Sequence, residues 1–164
     1  MQVGDLRRAQ GFTLVALLLA LALVSLALAA AGPMWSQQQR RERERELLRI
    51  GPLVAQALQS YREASPGSAR LFPLRLEDLL LDTRFVGTRR HLRAIYPDPL
   101  QPSRPWGLLT DELGRINGVF SQGIEAPIAQ GAVQLDDRRL PAVQRYADWQ
   151  FLALPKPDSN LRPP

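Results

Sequence analysis

Few side chains in this sequence are placed to do chemistry. Arg84, Arg89, Arg90 and Arg93 fall in one short stretch, with no acid between Thr83 and Pro97. Guanidinium groups gathered in this way suit a phosphate or an acidic partner subunit, and an ordinary solvated arginine cluster has the same composition. His91, the one histidine, stands among them. It could act as a proton switch near neutral pH, and a hydrogen-bonded structural role is the simpler assignment. Asp136 and Asp137 are adjacent acids followed directly by Arg138 and Arg139. They make a poor cage for calcium, which takes about 6–8 oxygen ligands.

The exclusions are broader than these candidates. There is no cysteine, so disulfides, thiolate metal sites and cysteine nucleophiles are absent. One histidine without a nucleophile motif supports neither a two-histidine metal site nor a Ser-His-Asp constellation. Gly118 to Gly123 (GVFSQG) lacks the spacing and the lysine of a phosphate loop. We therefore expect a non-catalytic protein with no metal and no cofactor. The net charge of +5, from 20 Arg and Lys156 against 16 acids, is too small and too dispersed to mark a nucleic-acid binder.

The elements that would carry these residues follow from the distribution of apolar side chains. The 164 residues allow one domain of ordinary size, yet the 31 residues between Arg8 and Arg40 contain no charge. Within that stretch Phe12 to Trp35 is a Leu/Ala-rich run of 24 residues, about 36 Å as a helix and enough for one bilayer crossing. It stops at Gly32-Pro33, with Trp35 where an interfacial aromatic would sit. From Ser36 to Glu63 the chain is polar and helix-forming. Leu47, Ile50, Val54, Ala57, Leu58 and Tyr61 make one apolar stripe there. The Arg/Glu alternation from Arg40 to Glu46 reads as a solvated face, with Glu42/Arg45 and Arg41/Glu44 as opposite charges three apart. Gly51-Pro52 predicts an interruption or kink.

Residues 64–164 read as an α+β head. Ser65-Pro66-Gly67 ends the long helix. Leu74 to Asp82 predicts a short helix with Leu76, Leu79 and Leu80 inward. Trp106 to Leu109 and Arg115 to Phe120 predict a hairpin turned at Asp111 to Gly114, with Gly114 at positive φ. Tyr146 to Leu154 predicts a further strand. Trp106, Phe120, Trp149 and Phe151 are expected in the core of the small sheet.

Three readings fit the amino terminus: a cleaved secretory signal ending at Ala29-Ala30-Ala31, an uncleaved signal anchor, and a third, more specific one. Arg7-Arg8-Ala9-Gln10-Gly11-Phe12-Thr13-Leu14 sets a glycine between a basic leader and the apolar run, followed by Phe-Thr-Leu. This junction resembles that of type IV prepilins and of the pseudopilins of type II secretion systems. The order YREA, LEDLL, RRHLR, IYPDP, WGLL and the closing YADWQFLA resembles the soluble part of pseudopilin-like proteins.

The resemblance implies a pilin-like α+β fold. Residues 1–11 would be the leader, 12–35 the transmembrane and assembly helix, 36–63 its amphipathic continuation, and 64–164 a periplasmic head. A prepilin peptidase/methyltransferase would cut between Gly11 and Phe12 and methylate the new amine, with Arg7 and Arg8 in the discarded leader. Phe12, Ala16 and Pro33, the last standing where family helices usually carry a proline, would serve assembly. The implied partners are other pilin or pseudopilin subunits, an inner-membrane assembly platform, and lipid before assembly. Ala16 stands where most members carry a glutamate that pairs with a neighbour's terminal amine, which favours a minor, tip-located subunit. In some major pseudopilins an acidic loop like Asp136-Asp137 binds calcium. The alternatives are a DNA-binding minor pilin using Arg84 to Arg93, and a secreted or anchored periplasmic protein with an ordinary signal. Nucleic acid is the less expected partner. The basic residues after the apolar run outnumber Arg7 and Arg8, so the positive-inside rule gives no support to an outward head.

Overall fold

The computed structural model describes residues 6–136 and 138–154, with side chains described outside 6–11 and 27–34. Helix α1 runs from Leu6 to Glu63 as one element. The chain divides into two compact units, Met1–Arg41 and Glu42–Pro164. In the first unit every described side chain from Phe12 to Leu26 is exposed, although nearly all are apolar. The Ser25 hydroxyl donates to the Leu21 carbonyl one turn back, at 2.8 Å, so that polar group is satisfied within the helix itself. Among the described residues no helix is long and apolar enough to cross a membrane.

The second unit is built on the apolar stripe expected from the sequence. Leu47, Ile50, Val54, Ala57, Leu58 and Tyr61 are all buried. Against them pack Leu79, Trp106, Val119, Tyr146, Trp149 and Phe151. The strands are β1 (Gly107–Thr110), β2 (Ile116–Phe120), β3 (Val133–Gln134), β4 (Arg139–Leu140) and β5 (Gln150–Leu152). One antiparallel sheet has the order β1-β2-β5, and β3-β4 form a separate two-stranded ribbon. The result is an α+β fold of a long helix and a small antiparallel head, consistent with a pilin-like architecture.

The predicted β1–β2 hairpin is present. Asp111 Oδ1 accepts from the amides of Leu113 and Arg115 at 2.9 Å, and Gly114 takes φ +71°, a conformation that glycine adopts without strain. A register shift between Leu109 and Thr110 then pairs Thr110 with Ile116. Asp82, expected only as the end of a short helix, lies just past a 3-10 helix, Leu76–Leu79, whose Leu79 is buried. The turn at Ser65-Pro66-Gly67 does end α1, with Gly67 at φ +78°.

Three expectations need correction. Gly51-Pro52 does not interrupt the helix: α1 continues through it, as it does through Gly32-Pro33 where the apolar run stops. Gly51 has a packing reason instead: a Cβ there would meet the Phe151 ring at 2.6 Å, so the missing side chain lets β5 close on the helix. Tyr146 to Leu154 is not one strand. Tyr146–Asp148 is a 3-10 helix and only Gln150–Leu152 pairs with β2, because that turn brings both Tyr146 and Trp149 inward. Phe120 is half-buried on the opposite face of its sheet from Phe151, and its ring occupies the space above Gly107.

Replacing Gly51 by alanine forces the Phe151 ring or the helix to move. We expect G51A to destabilise the protein by about 1–3 kcal/mol, as overpacking of a filled core does. Denaturant unfolding followed by tryptophan fluorescence measures it, and a midpoint equal to wild type would remove this role for Gly51.

Candidate functional site

Two regions carry the candidate residues. The first is the amino-terminal junction. The Gly11–Phe12 bond lies inside α1. Phe12 and Ala16 are both exposed, Phe12 at 77%. The side chains of Arg7, Arg8 and Pro33 lie outside the described residues, as does Gly11 apart from its helical backbone.

The second region surrounds Asp82, whose carboxylate is fully buried. Arg84 bonds it through Nε at 2.8 Å and through a terminal nitrogen at 2.6 Å. The Arg84 amide donates to the same carboxylate at 3.1 Å. His91 Nε2 lies 3.2 Å away, and its Nδ1 lies 2.9 Å from the Ser60 hydroxyl on α1. Arg84 also donates to the Ser65 hydroxyl at 2.7 Å and to the Tyr61 carbonyl at 2.8 Å. Its guanidinium stacks 3.6 Å from the centroid of the Tyr61 ring, and the His91 ring meets that tyrosine edge-on at 5.4 Å. The loop containing Thr83 to Arg90 is thus fastened to the end of α1 by ionic, hydrogen-bonded and aromatic contacts together.

The Arg84 guanidinium holds the Asp82 carboxyl at about 2, below its ordinary 3.8. Burial opposes this, while the Arg84 amide and His91 assist it. The same bond to Asp82 raises Arg84 above the ordinary arginine value.

Ser60, His91 and Asp82 therefore do form a chain, which the sequence alone did not indicate. It is arranged for anchoring rather than for acyl transfer. Asp82 is held chiefly by Arg84. Ser60 sits within α1, where its own amide is engaged in the helix and is no oxyanion donor. The His91 side chain is only 2% exposed.

The arginine run is split by this arrangement. Arg84 is committed inward, Arg89 stacks on the Phe85 ring at 4.7 Å, and Arg90 and Arg93 are exposed. Only the last three remain placed for a phosphate or an acidic partner. Asp136 is exposed beside the β3–β4 turn, and Asp137 lies outside the described residues. Among the described residues no group of histidine, aspartate and glutamate side chains could hold a metal ion.

The expectation of a solvated Arg/Glu face fails at Glu44. This side chain is buried and accepts from the amides of Ile128 at 2.7 Å and Ala129 at 3.1 Å, and from the Tyr146 hydroxyl at 2.6 Å. The signal was available, because Glu44 lies three residues before Leu47 and so on the buried stripe. Glu42 does pair with Arg45 at 3.0 Å, as the spacing predicted, out in solvent.

Residues 6–32 match the family described as the prokaryotic N-terminal methylation motif. No curated protein and no solved structure matches the chain. The match supports a prepilin-type motif and a type IV pilin-like protein. Members bearing it are structural subunits, and the motif implies processing by prepilin peptidase and membrane-associated assembly with other pilin subunits.

The buried ion pair gives the protein an acid limit. Asp82 titrates lower in the fold than in the unfolded chain, so its contribution is complete above about pH 4 and is lost as pH falls toward 2. The shift amounts to about 2 kcal/mol. D82N should cost about 3 kcal/mol near neutral pH, since it leaves the Arg84 charge without its partner. The gap from wild type should shrink between pH 4 and 2. Thermal unfolding across that range checks it, and a gap independent of pH would contradict the assignment.

Proposed function

We propose that this chain is a non-catalytic, low-copy subunit of a type II secretion pseudopilus or a related type IV pilus. The observation that carries this reading is the coincidence of the methylation motif at 6–32 with a helix whose described apolar side chains from Phe12 to Leu26 all lie exposed. An apolar surface of that kind needs lipid or other helices to cover it. Prepilin peptidase cuts between Gly11 and Phe12 and methylates the new amine. The subunit rests in the inner membrane with its head in the periplasm. An assembly platform then transfers it into a filament, where alanines such as Ala20 and Ala22 permit close helix approach.

Ala16 sets its place in that filament. An ammonium in an apolar bundle costs several kcal/mol unless it is paired or loses its proton. A subunit without an acid at this position can donate its own Phe12 amine to a neighbour's glutamate, but it leaves the next amine unmatched. Repeated along a homopolymer, that cost disfavours assembly. Incurred once at an end, it is tolerable.

Intact-mass measurement of the chain made alongside a prepilin peptidase should show loss of Met1 to Gly11 and one added methyl group. A mature terminus at Gly32 would establish an ordinary secreted protein instead. In sheared filaments, quantitative mass spectrometry should find this chain scarce beside glutamate-bearing partners. Finding it as the most abundant subunit, with no such partner, would refute the minor role.

A further inference from the structure

The segment following α1 and the start of β2 enclose a pocket of about 220 Å³ lined by Tyr61, Ser65, Leu71, Arg84 and Arg115, among others. Three of these side chains bring hydrogen-bond donors that the fold leaves unused. Arg115 is half-buried and sends one terminal nitrogen to the Phe72 carbonyl at 2.9 Å. Among the described residues it has no carboxylate partner. Arg84 bonds Asp82, Ser65 and the Tyr61 carbonyl, which leaves one hydrogen of its five. Tyr61 is only 7% exposed overall, and its hydroxyl, which reaches the surface, makes no protein hydrogen bond among the described residues.

The charges around the phenol describe the same place. Burial pushes the Tyr61 hydroxyl up, Arg84 and Arg115 pull it down, and Asp82 and Asp78 oppose them. Asp82 is paired with Arg84, and Asp78 accepts from the Arg75 amide at 3.1 Å. Ser65 is occupied too, since its hydroxyl bridges the amide and carbonyl of Leu71 and receives Arg84. Arg115 is therefore the charge without a direct counterpart at this pocket. A singly charged planar group suits it better than a phosphate dianion would.

We propose that this pocket binds a carboxylate, with the Arg115 guanidinium and the Tyr61 hydroxyl as its donors and the remaining Arg84 hydrogen beside them. A carboxylate presents two oxygens and about four acceptor sites, which matches a guanidinium fork plus one hydroxyl. It can come from an acidic side chain of a neighbouring subunit or from a free small carboxylate. The first source rests on the filament reading, whereas the binding chemistry does not.

The test uses the full chain in detergent micelles, with NMR of the arginine Nε–H and Tyr61 ring signals during titration with propionate against sodium chloride. Saturable shifts at Arg115 and Tyr61 are expected with propionate alone. Tyr61→Phe, which keeps the ring, should weaken binding about tenfold by removing one charge-assisted hydrogen bond. Arg115→Gln should abolish it. Non-saturating shifts common to both salts, or binding unchanged in Tyr61→Phe, would overturn the proposal. Given propionate binding, loss of Arg115→Gln from filaments identifies a neighbour's side chain as the source, and normal incorporation identifies a free carboxylate.

Discussion

The head depends on how closely its last strand can approach the helix. The Phe151 ring lies where a Gly51 side chain would be, and its neighbours on either side, Gln150 and Leu152, face outward. That single contact fixes β5, and β5 fixes β2 through Val119 paired with Phe151. β2 in turn holds β1, with Val119 opposite Leu108. The apolar stripe on α1 is thus the floor on which a three-stranded sheet is laid, and much of the core is made of helix residues. A sheet this small could not bury enough apolar surface alone.

Most of the head is irregular chain, and buried carboxylates fasten it. Glu44 on the helix gathers the amides of Ile128 and Ala129. Asp98 accepts from the Ser121 hydroxyl at 2.7 Å and from the amides of Leu100 and Gln122, tying the proline-rich segment to the end of β2. Asp82 joins the following loop to the helix end through Arg84 and His91. Each acid is buried with several donors, which is the condition under which burying a charge is tolerable. Loops held in this way keep a defined shape without regular secondary structure.

These two devices explain what could be read from the sequence. The helical stripe and the β1–β2 hairpin were legible because both rest on local periodicity and turn chemistry. The amino-terminal junction was legible because its residues are contiguous. Glu44 was misread because charge alternation pointed outward while its spacing from Leu47 pointed inward, and spacing prevailed. The packing role of Gly51 was not legible, because the ring that needs its space lies on a strand distant in sequence. The joining of Ser60, Asp82 and His91 could not be read at all, since the three residues come from a helix and two separate parts of a loop. Arg84 looked like part of a basic surface because the acid that claims it lies just outside the run.

The contact between Gly51 and Phe151 also orders the birth of the fold. The helix half of the core leaves the ribosome well before the ring that completes it. Closing that long loop is a late step, paid in chain entropy before any packing is gained. A chain that stops short of β5 keeps an open apolar groove along α1 and an unpaired edge on β2. The head is thus closed by a residue far along the chain from the glycine that receives it.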